Sequence, residues 1–495
     1  MKILLTGATG YIGQNLMKRL KDRHHIVAIS RSTEGKEDEP NVTWKSADLF
    51  DPQQVSDVME GVELAIYLVH SMQPQAKLTQ ASFEDMDALL ADNFARAAAK
   101  HKVGRIVYLS GIIPQDGKRL SRHLRSRLEC EKILGFYHVP VTTLRAGLIV
   151  GPEGSSFPIL QSLVERLPGL VVPKWAYNRT DPVALQDVMD AFEKIIESDE
   201  FGQQAIDIGG PQEMNYKDLF AQTAEVIGKK LPMVDLPIIP VWLSKAWVTL
   251  ISNKPKEMVN PLLESLVHSM VVTDEHYVEG ISNAPTSFKD SVKAALKDQK
   301  PQKFTLSHLP LPFTGGRSGS DRNDVKSIQR VTVPQGWTAR STADYYLTWL
   351  ERSSFGLINT DITDHDAQVR LPFTSKPLLV LKKPAAAAYE DFATYLIAGG
   401  RLALARDDSR ARLSFRQVLD TNQVIIAIHE FEPALPWRVY SLTQARLHLL
   451  VMTAFGYEVK ALAAVERWRQ DGIIPEAFGN CLERLMGAPA PQGAN

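Results

Sequence analysis

The chain opens with Lys2-Ile3-Leu4-Leu5, a short run of strand character. It enters Thr6-Gly7-Ala8-Thr9-Gly10-Tyr11-Ile12-Gly13 at once, ahead of a helical pattern through Leu16 and Leu20. Glycines at this spacing, between a strand and a helix, constrain the fold more than any other feature. They allow a tight turn, let the backbone approach a pyrophosphate, and permit close packing of helix on strand. The helix N-terminus adds N–H groups and a partial positive charge. Thr6, Gly7, Thr9, Gly10, Tyr11, Ile12 and Gly13 are therefore the expected phosphate-binding turn of a dinucleotide site. The second strand ends at Ser30-Arg31-Ser32, where an NAD-selective site carries a carboxylate for the ribose hydroxyls. A guanidinium flanked by two hydroxyls suits a 2′-phosphate instead, so NADP(H) is expected over NAD(H). A solvated loop arginine is the alternative, because a charged run from Glu34 to Glu39 follows.

From Lys2 to about Val150, β-branched apolar runs alternate with amphipathic patterns, which predicts parallel β-α-β units. Strands are expected at Lys2–Leu5, Ile26–Ser30, Val42–Lys45, Leu64–Val69, Arg105–Leu109 and Val141–Leu144, and a helix at Phe83–Lys100. The fold class is α/β: a doubly wound parallel Rossmann sheet over residues 1–150, with a substrate lobe over 151–300. In that lobe, helices are expected near Leu185–Ile196, Tyr216–Ile227, Val241–Leu250 and Pro261–Met270, and a strand near Ala205–Ile208. Trp242 and Trp247 read as core or pocket wall. Residues 301–326, rich in Pro and Gly, read as a linker. Residues 327–483 read as a separate α+β domain, with a strand at Ile328–Val333 and a helix at Thr342–Leu350. Further strands are expected at Leu378–Leu381, Arg401–Ala405, Ala411–Leu419 and Gln423–Phe431, then helices at Leu442–Phe455 and Leu462–Arg469. Residues 484–495 read as a disordered tail.

Composition narrows the functional classes. With 44% apolar and 23% charged residues in a chain of 495, wholesale disorder is excluded. Lys+Arg 56 against Asp+Glu 57 leaves a net charge of −1, so no basic field favours nucleic acid. Cys130 and Cys481 have no neighbours at metal or disulfide-framework spacing, which points to the reducing cytoplasm and to no metal site. The start of the chain is too short in apolar residues for a signal peptide. Ile238–Ile251 falls short of a span of about 20 residues and contains Ser244 and Lys245, so no transmembrane segment is expected. Peripheral membrane contact through Val241–Leu250 stays open.

Ala47-Asp48-Leu49 and Tyr108-Leu109-Ser110-Gly111 each follow an expected strand. With the glycine turn, they make residues 1–300 resemble the short-chain dehydrogenase/reductase superfamily, in its extended and atypical branches. The resemblance implies that Asp48 binds the adenine amino group with Leu49 beside it. It places Val69 and His70 over the cofactor and Asn93 near the site. Its reaction uses a serine, a tyrosine thirteen residues on, and a lysine four further. Ser110 is present, but His123 and Arg127 stand at the other two spacings. His123 can exchange protons near neutrality, and the charge of Arg127 one turn away favours its neutral form.

Two functions stay open. One is an NADPH-dependent oxidoreductase acting on a carbonyl or quinone-type substrate, with Ser110 and His123 at the oxygen and Arg127 on the ribose. The other is a non-catalytic cofactor sensor or assembly factor for a partner protein or a respiratory, quinone-related complex. The latter is the implied role of NmrA-like proteins and of the nucleotide-binding accessory subunit of NADH:ubiquinone oxidoreductase, which this chain is similar to. Arg119, Arg122 and Arg125 also allow a basic partner surface. Arg145–Pro152 and Arg179–Val183 with Asp187 loosely match family segments near the ligand. The C-terminal domain is weakly similar to START-like, helix-grip domains, implying an apolar ligand, through Trp437-Arg438-Val439-Tyr440 and the helix after it. Strand alternation separates His429, Glu430 and Glu432, which argues against a metal, and His448 reads as a hydrogen-bonded core residue.

Overall fold

A computed structural model describes residues 1–71, 78–154, 156–236, 238–252, 254–297, 325–384, 388–404 and 410–486. The chain divides into two units, Met1–Gln73 with Asp87–Thr314, and Pro74–Met86 with Gly315–Asn495.

In the first unit the strands are β1 (Lys2–Leu5), β2 (His25–Ser30), β3 (Val42–Ser46) and β4 (Leu64–Tyr67). After β5 (Leu78–Gln80), which counts with the second unit, come β6 (Arg105–Gly111), β7 (Val141–Ala146) and the strand Gln204–Ile208. They form one parallel sheet in the order Gln204–Ile208, β7, β6, β4, β1, β2, β3. β4 and β7 are buried along their whole length; β4 is an unbroken apolar run, while β7 buries Thr142, Thr143 and Arg145 among its apolar residues. Strand order reverses between β1 and β4, and that switch point opens a crevice at their carboxyl ends.

Helices α1 (Tyr11–Leu20), α2 (Pro52–Val58), α3 (Phe83–Lys100) and α4 (Arg122–Gly135) connect the strands. Local chemistry sets where they start. Asp51 accepts hydrogen bonds from the N–H groups of Gln53 and Gln54 ahead of α2, with Pro52 at its first position. The Ser121 hydroxyl accepts from Leu124 N–H at the start of α4.

The lobe is helical: α5 (Ser156–Arg166), α6 (Leu185–Glu197), α7 (Tyr216–Ile227), α8 (Val241–Ser252) and α9 (Lys256–Ser265). Phe157, Leu160, Leu163, Trp175, Phe220, Val248 and Val259 form a common core. Two expectations fail here. The helix expected from Pro261 begins at Lys256 and carries Pro261 in its interior. It gives up one backbone hydrogen bond while Val259 and Leu263 fill the lobe core. Trp242 is 70% exposed, not core, whereas Trp247 packs against the lobe core.

The second unit is a sheet in the order Asn359–Ile362, Asp366–Arg370, Leu379–Lys382, Phe392–Gly399, Arg412–Gln417, Gln423–Phe431, Val325–Thr332, β5. All neighbours are antiparallel except β5, which runs parallel to Val325–Thr332. β5 was not expected as a strand and comes from residues 74–86. Gln329 donates to the Gln80 carbonyl, and Arg330 pairs with Asp85 at 2.7 Å. The strand Val325–Thr332 starts inside the stretch read as a linker; residues 301–324 lie outside the described residues, as do 487–495 of the tail.

The strand expected at Arg401–Ala405 is displaced to Phe392–Gly399. Gly400, at φ 129°, turns so tightly that a Cβ there would lie 2.2 Å from the Leu378 carbonyl oxygen; among the described residues 401–404, Ala403 bridges to Pro433, and Ala405 lies outside the described residues. The two helices expected over 442–469 are one, Gln444–Gln470, which passes through Gly456. Gly456 faces Val331 on the sheet and so works as a close-packing position, not a stop. The run Trp437–Gln470 is long and apolar enough to cross a membrane, yet Met452, Phe455, Val459 and Leu462 are buried in the core of this unit. Tyr346 and Trp349, from the helix Ala339–Ser353, meet Phe455 with ring centroids 5.0 and 5.1 Å apart.

The alternation argument for His429 fails locally. Glu430 has φ 50° and the ladder shifts register there, although among the described residues no group of three could hold a metal. His448 hydrogen-bonds Ser327 at 3.1 Å, as expected of a core histidine.

Candidate functional site

A cleft with an empty volume of about 1050 Å³ lies at the carboxyl ends of β1, β4 and β6. One end is the glycine turn. Gly7 has φ 62°, and a Cβ on Gly13 would lie 2.2 Å from the Gly7 carbonyl oxygen, so only glycine lets α1 seat on the turn. Gly10 caps α1 with no side-chain hydrogen bond. Gly7, Gly10, Tyr11, Ile12 and Gly13 all line the cleft, which places the N-terminus of α1 at it. A cradle that a Cβ would fill fits a dinucleotide diphosphate. Ser110 Oγ, also lining the cleft, is buried without a hydrogen-bond partner among the described residues.

Not every expected cofactor residue reaches this cleft. Thr6 is fully buried, and its hydroxyl donates to the Ile66 carbonyl at 3.0 Å and accepts from Leu68 N–H at 2.8 Å. It stitches β1 to β4. Thr9 is exposed and outside the lining; Val69, half-buried between the lining residues Leu68 and His70, is outside it too. Ser30, Arg31 and Ser32 stand at the end of β2, with Arg31 and Ser32 exposed. The Ser46 hydroxyl donates to the Arg31 carbonyl, and Ser32 Oγ accepts from Glu34 N–H. Asp48 accepts from Phe50 N–H at 3.0 Å, and Leu49 is buried. These five residues lie beyond the lining. Asn93 is buried and donates to the Leu49 carbonyl at 2.8 Å, so it braces the Asp48 loop and is neither exposed nor at the cleft. Arg179 pairs with Glu213, while Asp181 and Asp187 accept from Val272 and Thr286 backbone N–H groups, so all three are structural here.

The other end of the cleft is assembled from three elements. His70 follows β4, Asp87 lies in α3, and His123 is in the first turn of α4. His70 Nδ1 is 2.7 Å from Asp87 Oδ2, and His70 Nε2 is 3.2 Å from His123 Nδ1. Asp87, 1% exposed, also accepts from Ser71 N–H at 2.7 Å and from the Ser126 hydroxyl at 3.1 Å. Burial opposes its ionisation. The charge and hydrogen bond of His70, followed by Arg127 and Ser71 N–H, outweigh that and hold its carboxyl below the ordinary value. Burial first, then the charges of His70 and Arg127, push His123 well below the usual imidazole range. His123 is therefore neutral at pH 7.

Arg127 is buried, donates to the Leu109 carbonyl, and lies 4.7 Å from the Tyr108 ring centroid. It anchors α4 on the end of β6 while still lining the cleft. Of the three expected catalytic residues, Ser110 and His123 present themselves to the cleft, and Arg127 is largely committed to β6. Asp87 was missed by sequence reasoning. Its signal was a carboxylate on the stripe it shares with Leu90, Ala91, Phe94 and Ala98, all buried.

A second cavity, of about 880 Å³ empty volume, adjoins the cleft and shares Gly111, His123, Ala146, Gly147, Ser156 and Leu262 with it. Its remaining lining comes mainly from the apolar faces of α5, α7, α8 and α9.

A family model described as NAD(P)H-binding matches residues 7–132, which span the glycine turn, β1 to β6 in all but their first strand, and His123 and Arg127. Residues 7–132 therefore match an NAD(P)H-binding domain. The chain is 34% identical over 145 residues to the auxiliary protein GraX of Staphylococcus aureus, covering 29% of this chain and 43% of that protein. It is 32% identical over 111 residues to the 2-alkyl-3-oxoalkanoate reductase of Stenotrophomonas maltophilia, covering 22% of this chain and 33% of that protein. The match thus spans less than half the length of each curated relative. Among solved structures, the triphenylmethane reductase of Citrobacter sp. complexed with NADP(H) aligns at 18% identity and TM-score 0.47, covering 59% of this chain and 99% of that one. A nucleoside-diphosphate-sugar epimerase from Staphylococcus aureus aligns at 14% identity and TM-score 0.48, covering 59% and 100%. The first unit has an NAD(P)H-binding, oxidoreductase-like fold.

Proposed function

We propose that the first unit is an NADPH-dependent reductase of a carbonyl or quinone-type oxygen, in which His123 delivers the proton that the family's tyrosine ordinarily supplies. The observation that carries this is the chain of hydrogen bonds from Asp87 through His70 to His123, ending at a cleft where Ser110 Oγ has no partner among the described residues. The name of one matched relative, a reductase of a 3-oxo compound, supports the same class. The unpaired Cys130 and exposed Cys481 support a cytoplasmic setting.

The residues divide the work. The amides of the glycine turn hold the diphosphate, and Arg31 with Ser30 and Ser32 selects the 2′-phosphate. NADPH, when bound, supplies the hydride. Ser110 Oγ–H donates to the substrate oxygen as negative charge grows on it. Asp87 keeps a proton on His70 Nδ1. In the relay the His70 Nε2–H donates to His123 Nδ1, which leaves the His123 proton on Nε2. His123 Nε2 then releases that proton to the substrate oxygen while His123 Nδ1 takes the proton of His70 Nε2. His123 is neutral before and after, so its weak basicity is no obstacle, and His70 is recharged by one proton from solvent.

Turnover tests this reading. NADPH oxidation is measured against a panel of aldehydes, ketones and quinones for wild type and His123→Ala. The expected result is measurable oxidation that falls about 10²–10⁴-fold in the variant, with an unchanged rise in melting temperature on NADPH binding. Thermal stabilisation by NADPH with no oxidation of any partner in wild type would replace the reductase by the cofactor-sensor reading.

A further inference from the structure

We infer that the cavity adjoining His123 is a binding site for an uncharged ligand made mostly of hydrocarbon, with its polar oxygen at the His123 end. The position of that oxygen rests on the proposed reaction; the chemistry of the cavity does not.

The wall is built from Ile159, Leu160, Leu163, Trp175, Phe220 and Val259, among other apolar residues. Among the described residues, no Lys, Arg, Asp or Glu lines it. Two of its polar groups are already engaged with the protein. Trp175 Nε1 donates to Ser244 Oγ at 3.2 Å, and Ser265 Oγ bonds Ser121 Oγ at 2.9 Å and the Pro261 carbonyl at 3.2 Å. A carboxylate or phosphate entering this space would lose its hydration with no charged partner to replace it, at a cost of several kcal/mol per ion. A nucleotide sugar, with its charges and many hydroxyls, is the wrong occupant. An alkyl or fused-ring skeleton gains by burial. His123 lines both the cleft and this cavity, so the ligand's polar atom meets the proton relay where the two spaces join.

The experiment uses the full chain without cofactor and three probes, 2-heptanone, 2-nonanone and 2-undecanone, with tryptophan fluorescence as the readout because Trp175 lines the wall. Each added methylene is expected to tighten binding about fourfold, the equivalent of about 0.8 kcal/mol per buried CH₂. Undecanoate, of equal length but charged, is expected to bind at least about tenfold more weakly than 2-undecanone. Leu160→Trp, which fills the cavity, should abolish ketone binding while NADPH still raises the melting temperature. Val259→Phe serves the same purpose if the first variant fails to fold.

Affinity independent of chain length, or undecanoate bound as tightly as the ketone, would overturn the assignment. The two proposals fail separately. Length-dependent binding with no turnover sinks the reductase reading and keeps the site; turnover of short charged substrates with no length dependence does the reverse.

Discussion

The two ends of the cleft are built in opposite ways. The glycine turn is one stretch of chain, Gly7 to Gly13, in which the Gly10 N–H donates to the Gly7 carbonyl and Gly13 packs on Gly7 and Ala8. The proton-relay end joins His70, Asp87 and His123, which are 17 and 53 residues apart along its two hydrogen bonds. Backbone geometry makes the first end, so it tolerates little change in shape and is indifferent to protonation. The second end is made by side-chain chemistry, so conservative replacements that keep its shape should still remove its function.

Substitutions sharpen that contrast, beginning with the most severe. Gly13→Val places atoms where the Gly7 carbonyl already lies, so α1 cannot seat. Complete loss of the NADPH-induced rise in melting temperature is expected, together with a lower melting temperature of the free protein. Retained NADPH stabilisation would mean that the turn is not the diphosphate site. Asp87→Asn keeps the shape but removes the charge and alters which ring nitrogen of His70 carries the proton. Turnover is expected to fall about 10²-fold with NADPH binding intact, and ¹⁵N spectra of the imidazole rings in the free protein should show a changed tautomer at His123. An unchanged His123 tautomer would break the relay.

The same pair makes a stability prediction with pH. Asp87 is held below its ordinary 3.8, so it contributes stability above that value, and this contribution is lost as pH falls through its lower folded value. His123 is held well below 6.5, so the unfolded chain takes up its proton first and stability also falls as pH drops below about 6.5. The melting temperature should therefore decline from pH 7 to pH 5 more steeply in wild type than in His123→Gln. Parallel profiles would show that His123 is not held neutral.

The smallest effect is expected at the exposed edge of the glycine end. Arg31→Ala should weaken NADPH about tenfold, the scale of one hydrogen bond to a charged group, and leave NADH unchanged. Equal loss for both coenzymes would remove Arg31 from the 2′-phosphate.

The Rossmann half was legible because its determinants are local. Lys2–Leu5, Phe83–Lys100 and Tyr216–Ile227 appear with the bounds that apolar periodicity implies. In the second unit, periodicity was a weaker guide. Two helices are expected over Leu442–Phe455 and Leu462–Arg469, where one runs on through Gly456, whose small size serves contact with Val331 on a distant strand. β5 carries no strand pattern of its own and exists through pairing with Val325–Thr332, nearly 250 residues away. Thr6 and Asn93 looked like ligand-binding residues because they sit beside the right motifs. Burial shows that they hold strands and loops together.

For this protein the amino-acid order alone determined the strand–turn–helix that opens the chain, the parallel sheet behind it, and the presence of His123 and Arg127 at the positions of a familiar pair. Those properties depend on residues close in sequence, where steric and periodic rules act directly. Only the tertiary structure decided that Asp87 is the carboxylate behind His70, that Arg127 is spent on β6, and that an apolar space opens beside His123. A buried charge has meaning only through the partners packed around it, and those partners come from helices and strands that the linear pattern does not bring together.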